Sequence, residues 1–131
     1  MIKLFTDGGS RGNPGPAAIG GVFYDGKNKL ADFSKYIGAT TNNQAEYQAL
    51  EHGLKLAIKN NIKELACYLD SELVVKQVNK EYKVKDKALA KIFVKVWNLS
   101  LKFKQISFTH VRREYNKEAD ALVNKALDEQ V

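Results

Sequence analysis

Cysteine is nearly absent, Cys67 standing alone among 131 residues. A single thiol excludes a disulfide framework and any cysteine-rich zinc site within one chain. Proline is almost as scarce, with two copies at Pro14 and Pro16, so no proline-rich linker divides the chain. No apolar run reaches the ~18 residues of a membrane span. The start, Met1-Ile2-Lys3-Leu4-Phe5-Thr6-Asp7, does not follow the signal-peptide pattern. These absences lead us to expect one domain over residues 1–131, no membrane association and a reducing, cytoplasmic location. With 44% apolar and 27% charged residues the composition is that of a globular protein. A chain of this size buries roughly two thirds of its unfolded surface, enough for a core without staples.

The formal net charge is +6, and its placement says more than its total. Nine lysines (76, 80, 83, 85, 87, 91, 95, 102 and 104) face only Glu81 and Asp86 within residues 76–104, so the whole excess lies there. Concentrated positive charge suits a polyanion such as nucleic acid; a solvated lysine-rich helix face is the alternative.

Hydrophobic periodicity supplies the element order. Ile2 to Asp7 alternates and runs into the glycine-rich stretch DGGSRGNPGP. Ala17–Tyr24 and Leu30–Ile37 are β-type runs separated by Asp25-Gly26-Lys27-Asn28, which predicts an antiparallel meander of three strands. From Thr41 to Asn60 apolar residues recur at helical spacing behind a Thr41-Asn42-Asn43 cap. Glu64 to Asp70 reads as a strand parallel to the first, and Ser71 opens a helix. Residues 87–101 form a second long helix with Leu89, Ile92, Phe93, Val96 and Leu99 inward. Gln105 to Val111 is a last strand, and Asn116 caps a terminal helix. Trp97 is expected to pack with Phe93, and Cys67 to be an inert buried thiol. The order β-β-β-α-β-α-α-β-α predicts an α/β domain with a mixed five-stranded sheet flanked by helices.

Four carboxylates stand apart. Asp7 and Asp70 end strands expected to be parallel neighbours, Glu46 lies beside an apolar helix stripe, and Asp120 opens the last helix. Brought together, each pair at ~4 Å would repel by about 4 kcal/mol at an effective dielectric of 20. A hard divalent cation on an all-oxygen cluster relieves that repulsion. On spacing alone these residues fit equally well as helix-start and solvated side chains.

Four strings taken in order settle the choice: TDGGSRGNPGPAAIGG, TTNNQAEYQAL, LDSELVV and HVRREYNKEADALVNKA. Together they resemble the type 1 ribonuclease H family along essentially the whole chain, in its compact form. The resemblance implies the ribonuclease H fold, with strand order 3-2-1-4-5 and strands 1–3 antiparallel. It further implies an endoribonuclease that cuts the RNA strand of an RNA/DNA hybrid, leaving 5′-phosphate and 3′-hydroxyl ends by a two-metal-ion mechanism. Magnesium is the expected ion, with manganese as the alternative, and two ions bind per site. Asp7, Glu46, Asp70 and Asp120 match the metal-binding carboxylates, and His110 matches the catalytic histidine in the loop after the last strand. Asn13, Asn42 and Asn43 match residues in the minor groove of the hybrid, and Thr41 a contact to a DNA-strand phosphate. Gly8, Gly9 and Ser10 fall in the substrate loop, where glycines would let backbone approach the nucleic acid.

Two departures follow from the same comparison. Residues 79–86 are too short to hold the basic protrusion of many bacterial members, which leaves Lys83, Lys85 and Lys87 as candidate contacts to the DNA strand. Glu72 stands where many relatives place an RNA-contacting glutamine. The expected partner is the hybrid alone, bound by a monomer with no obligate protein partner. A non-catalytic hybrid-binding module and another nuclease of the same superfold are the competing readings. The full carboxylate and histidine set argues against the first, and the asparagine pair with the GNPG loop against the second.

Overall fold

Three successive β-prone runs joined by tight turns build the first half of the sheet. In the computed structural model, which describes residues 1–130, these are β1 (Ile2–Ser10), β2 (Gly15–Asp25) and β3 (Asn28–Thr40), all antiparallel. Each is longer than its apolar core suggested. β1 continues past Asp7 because Gly8, Gly9 and Ser10 pair with Ile19, Ala18 and Ala17. The β2–β3 turn places Gly26 at φ +61°, a left-handed conformation that glycine adopts without strain.

Helix α1 (Asn42–Lys59) begins where Thr41 accepts the Gln44 N–H at 3.2 Å, and ends at Asn60. Then come β4 (Glu64–Leu69), α2 (Glu72–Val78) capped by Ser71, α3 (Lys87–Ser100) capped by Asp86, β5 (Gln105–His110) and α4 (Lys117–Asp128). The sheet order is β3-β2-β1-β4-β5, with β4 parallel to β1 and β5 parallel to β4. This is the topology expected from the resemblance. Residues 79–86 between α2 and α3 hold no helix or strand, so the chain lacks the basic protrusion.

Strand alternation assigns the two faces. Leu4, Leu65, Cys67 and Leu69 pack with Leu50, Leu54, Val74, Leu89 and Val96 in the main core. Ile92, Phe93 and Leu99 reach that core only partly, and Trp97 is half-buried beneath the Lys80 ammonium, 3.8 Å from its ring centroid. Burial pushes the Cys67 thiol up, which keeps it unreactive. On the opposite face α4 lays Val123, Ala126 and Leu127 over Ala18. Glu118, at the start of α4, accepts from the Tyr24 hydroxyl and pairs with Lys29 at 2.8 Å, tying the β2–β3 hairpin to the helix.

One cap differs from expectation. Asn116 precedes α4, but its side chain makes no capping bond; its Nδ2 instead donates to the Thr6 carbonyl at 2.9 Å.

Candidate active site

The end of β4 creates the site. The last β1–β4 pair is Thr6 with Leu69, so Asp7 and Asp70 follow side by side at the carboxyl edge of two parallel strands. Beyond that pair the Gly8 N–H has no β4 partner, and it donates to Glu46 Oε1 at 2.5 Å. Glu46 reaches this point because α1 lies directly on Gly8. A β-carbon there would collide with the carbonyl group of Ala45 and the backbone nitrogen of Glu46. Carboxylate oxygens of Asp7, Glu46 and Asp70 consequently lie within 4.8 Å of one another. Asp120, one helical turn past Asn116, is near enough for its charge to act on Asp7 and lies 3.8 Å from the Arg113 guanidinium.

Burial and mutual repulsion make the ionised cluster costly. Burial raises the Asp7 carboxyl to about 7, and the charges of Asp70 and Asp120 add to it while the hydrogen bond with Glu46 pulls back. Glu46 is held well above the carboxylate range, first by burial and then by the charge of Asp7. Asp70 is also raised by burial, against the Asn116 amide and the Arg113 charge. Among the described residues no cation pairs with Asp7, Glu46 or Asp70. Three unneutralised, closely spaced carboxylates form an all-oxygen set that fits a hard divalent cation.

A pH dependence follows for the metal-free protein. Asp7 titrates near 7 when folded and near 3.8 otherwise, so between these values the folded state binds the extra proton. Its contribution is fully present below the lower value and is lost as pH rises through the upper one. Stability in chelator should therefore fall from pH 5 to pH 8, by up to about 1.4 kcal/mol per pH unit for each retained proton. Thermal melts across that range check it, and a flat or rising profile would show that the cluster is ionised without metal.

The carboxylates floor a cleft of about 490 Å³. Gly8, Gly9, Ser10, Arg11, Asn42 and Asn43 are among the residues lining it, together with Ser71, Arg113, Asn124 and Leu127. Asn42 Oδ1 accepts from the Ser10 backbone N–H at 2.8 Å. Asn13 stands outside the lining, its Oδ1 accepting the Asn42 N–H at 3.1 Å.

Other expected residues also sit away from the cleft lining. Thr41 caps α1 and Glu72 pairs with Lys76 at 3.0 Å. His110 is the exposed last residue of β5 rather than part of the following loop, near enough for its charge to act on Asp70. Lys83, Lys85 and Lys87 are exposed around the start of α3. Conversely, Arg11, Arg113, Asn116 and Asn124 escaped the sequence reading. The arginines lie in plain view inside the strings DGGSRGNPGP and HVRREYN, whereas nothing in the sequence distinguishes Asn116 from an ordinary cap.

Comparison with known proteins places this geometry in context. The family described as reverse transcriptase-like matches residues 5–126. A bifunctional protein of Mycobacterium tuberculosis is 44% identical over 97% of this chain, which spans only 35% of that protein. Ribonuclease HI of Halobacterium salinarum is 41% identical over 98% of this chain and 65% of that protein. A crystal structure of RNase H1 from the same halophilic archaeon superposes with a TM-score of 0.95 over 98% of both chains. The structure of LC11-RNase H1 in complex with an RNA/DNA hybrid is 43% identical, with a TM-score of 0.94 over 99% of both chains.

Proposed function

This chain belongs to the type 1 ribonuclease H family, and on that basis we propose that it is a metal-dependent endoribonuclease hydrolysing the RNA strand of RNA/DNA hybrids. The observation that carries the reading is the closely spaced trio Asp7, Glu46 and Asp70, the first two buried and the third half-buried, at the floor of a cleft rimmed by amides. Asp7, Glu46, Asp70 and Asp120 would hold two magnesium or manganese ions. Bound ions of this kind supply activation of the attacking water and neutralisation of charge on the leaving 3′ oxygen.

The chain's own groups account for the rest. Asn42 and Asn13 each commit their carbonyl oxygen inside the protein, which leaves both side-chain NH₂ groups as donors for the 2′-hydroxyls that distinguish RNA. Asn43, exposed beside them, offers a third amide. Gly9 and Ser10 form the wall between these amides and the carboxylates, and Thr41 fixes the helix start that carries the pair. His110 at the solvent-exposed end of β5 would move a proton between the leaving group and bulk water. Lys83, Lys85 and Lys87 would hold the DNA strand in place of the missing protrusion, whereas the carboxylate of Glu72 is taken up by Lys76 and offers the RNA little. The products would carry 5′-phosphate and 3′-hydroxyl ends. We further propose that residues 1–131 act as one catalytic domain, as a monomer without an obligate protein partner, in the cytoplasm. No helix among the described residues is long and apolar enough to cross a membrane.

The deciding experiment incubates the purified chain with an end-labelled RNA/DNA hybrid in magnesium, in manganese and in excess chelator. Internal cuts in the RNA strand with either metal and none in chelator are expected. Undiminished cutting in chelator, or none across a metal series, would overturn the assignment.

A further inference from the structure

Arg11 and Arg113 are the two cationic side chains lining the cleft, and each faces a carboxylate. Arg113 points to Asp120, inside the cluster. Arg11 is different: its Nη2 donates to Asp128 Oδ1 at 2.6 Å, and Asp128 is outside the cleft lining, near the far end of α4. Among the described residues its only other partner is Asn124 Oδ1, at 3.5 Å.

The pair does not build the loop. Arg11 is held through its backbone, whose N–H donates to the Pro16 carbonyl at 2.8 Å. Its neighbours are held by the Ser10 hydroxyl on the Gly12 carbonyl and by Asn42 on Ser10. The ion pair is also poorly protected, with side-chain exposures of 46% for Arg11 and 67% for Asp128. An exposed pair of that kind is weak and screened by salt. A planar guanidinium, by contrast, grips a phosphate through two parallel charge-assisted bonds. A hybrid lying in the cleft would bring such phosphates to the rim that Arg11 lines, and its charge would repel Asp128.

We infer that Arg11 is an anion subsite on the α4 side of the cleft, which releases Asp128 to take a backbone phosphate of the bound hybrid. Asp128 is then a built-in competitor that lowers affinity, and not a positioning partner. The inference rests on the hybrid-cleaving reading given above. The two roles predict opposite signs, because removing a competitor tightens binding and removing a positioning partner loosens it.

The test measures KM for hybrid cleavage at about 50 mM salt, where an exposed charge is least screened. Asp128→Asn should lower KM about threefold, and Arg11→Gln should raise it about fivefold. In the Arg11→Gln background, Asp128→Asn should do nothing further, which separates a released arginine from a general loss of negative charge. Glu129→Gln, at the neighbouring exposed carboxylate, serves as the charge control and should leave KM unchanged. An Asp128→Asn variant with raised or unaltered KM would overturn the inference, as would an equal gain without Arg11 or from Glu129→Gln. If the parent cuts nothing, hybrid binding by fluorescence anisotropy carries the same comparison. Failure of the catalytic reading is thereby told apart from failure of this one.

Discussion

Asp7→Asn is expected to lower cleavage of the hybrid by at least about 10³-fold, while the metal-free protein melts no lower than the parent. The first effect follows from position. Asp7 is acted on by all three other carboxylates, Glu46, Asp70 and Asp120, so it is the group through which the cluster is joined. Losing a charged ligand from such a centre forfeits several kcal/mol of transition-state stabilisation, and about 4 kcal/mol is already 10³-fold. The second effect follows from the same geometry without metal. An amide is isosteric with the carboxylate and its oxygen can still accept the Gly8 N–H, now at 3.0 Å from Asp7 Oδ1. It also removes one member of a crowded set whose repulsion already raises Asp7 and Glu46. The fall in stability between pH 5 and pH 8 should shrink with it. Single-turnover rates at saturating magnesium, paired with melts in chelator, make the check. A rate within tenfold of the parent would remove Asp7 from the centre of the chemistry.

Gly8→Ala should be the most damaging single-methyl change in the protein, costing about 2–4 kcal/mol of stability and about 10²-fold in turnover. The new β-carbon would lie against backbone, the Ala45 carbonyl and the Glu46 nitrogen, which cannot rotate aside as a side chain can. Helix α1 would have to lift from β1 and take Glu46 with it. Gly9→Ala provides the contrast: its β-carbon would rest 3.6 Å from a Val123 methyl and 4.0 Å from Asn42 Oδ1, ordinary contact distances. That variant should stay within about 0.5 kcal/mol of the parent. Chemical denaturation of both, with activity measured on the folded fraction, would detect the difference. Equal behaviour of the two would mean that α1 is not seated on Gly8.

These two glycines mark how far the chain can be read unaided. Both belong to the string DGGS, and both were expected to bring backbone close to nucleic acid. In the fold both line the cleft, but Gly9 has room for a β-carbon whereas Gly8 is also the seat of helix α1. Period and turn chemistry are local, so the meander, the α1 cap at Thr41 and the terminal helix were visible from residue order. The strand ends were not, because Gly8–Ser10 become strand only through pairing with Ala17–Ile19. The four carboxylates stood out at strand ends and helix starts, but it was the family resemblance that separated them from solvated side chains. Asn116 was read as a cap because the sequence cannot show that β1 runs beneath it and offers the Thr6 carbonyl.

By itself, then, the sequence determined the element order, the strand topology that resemblance implied, the identity of the acidic residues and the location of the excess lysine charge. The tertiary structure alone decided that Asp7, Glu46 and the half-buried Asp70 form one cluster with Asp120 at its margin beside Arg113. It also decided that Arg11 faces Asp128, 117 residues away along the chain. The physical reason is range. Propensity and periodicity act over a few residues, whereas desolvation, carboxylate repulsion and ion pairing depend on distances that exist only once strands from opposite ends of the chain lie side by side.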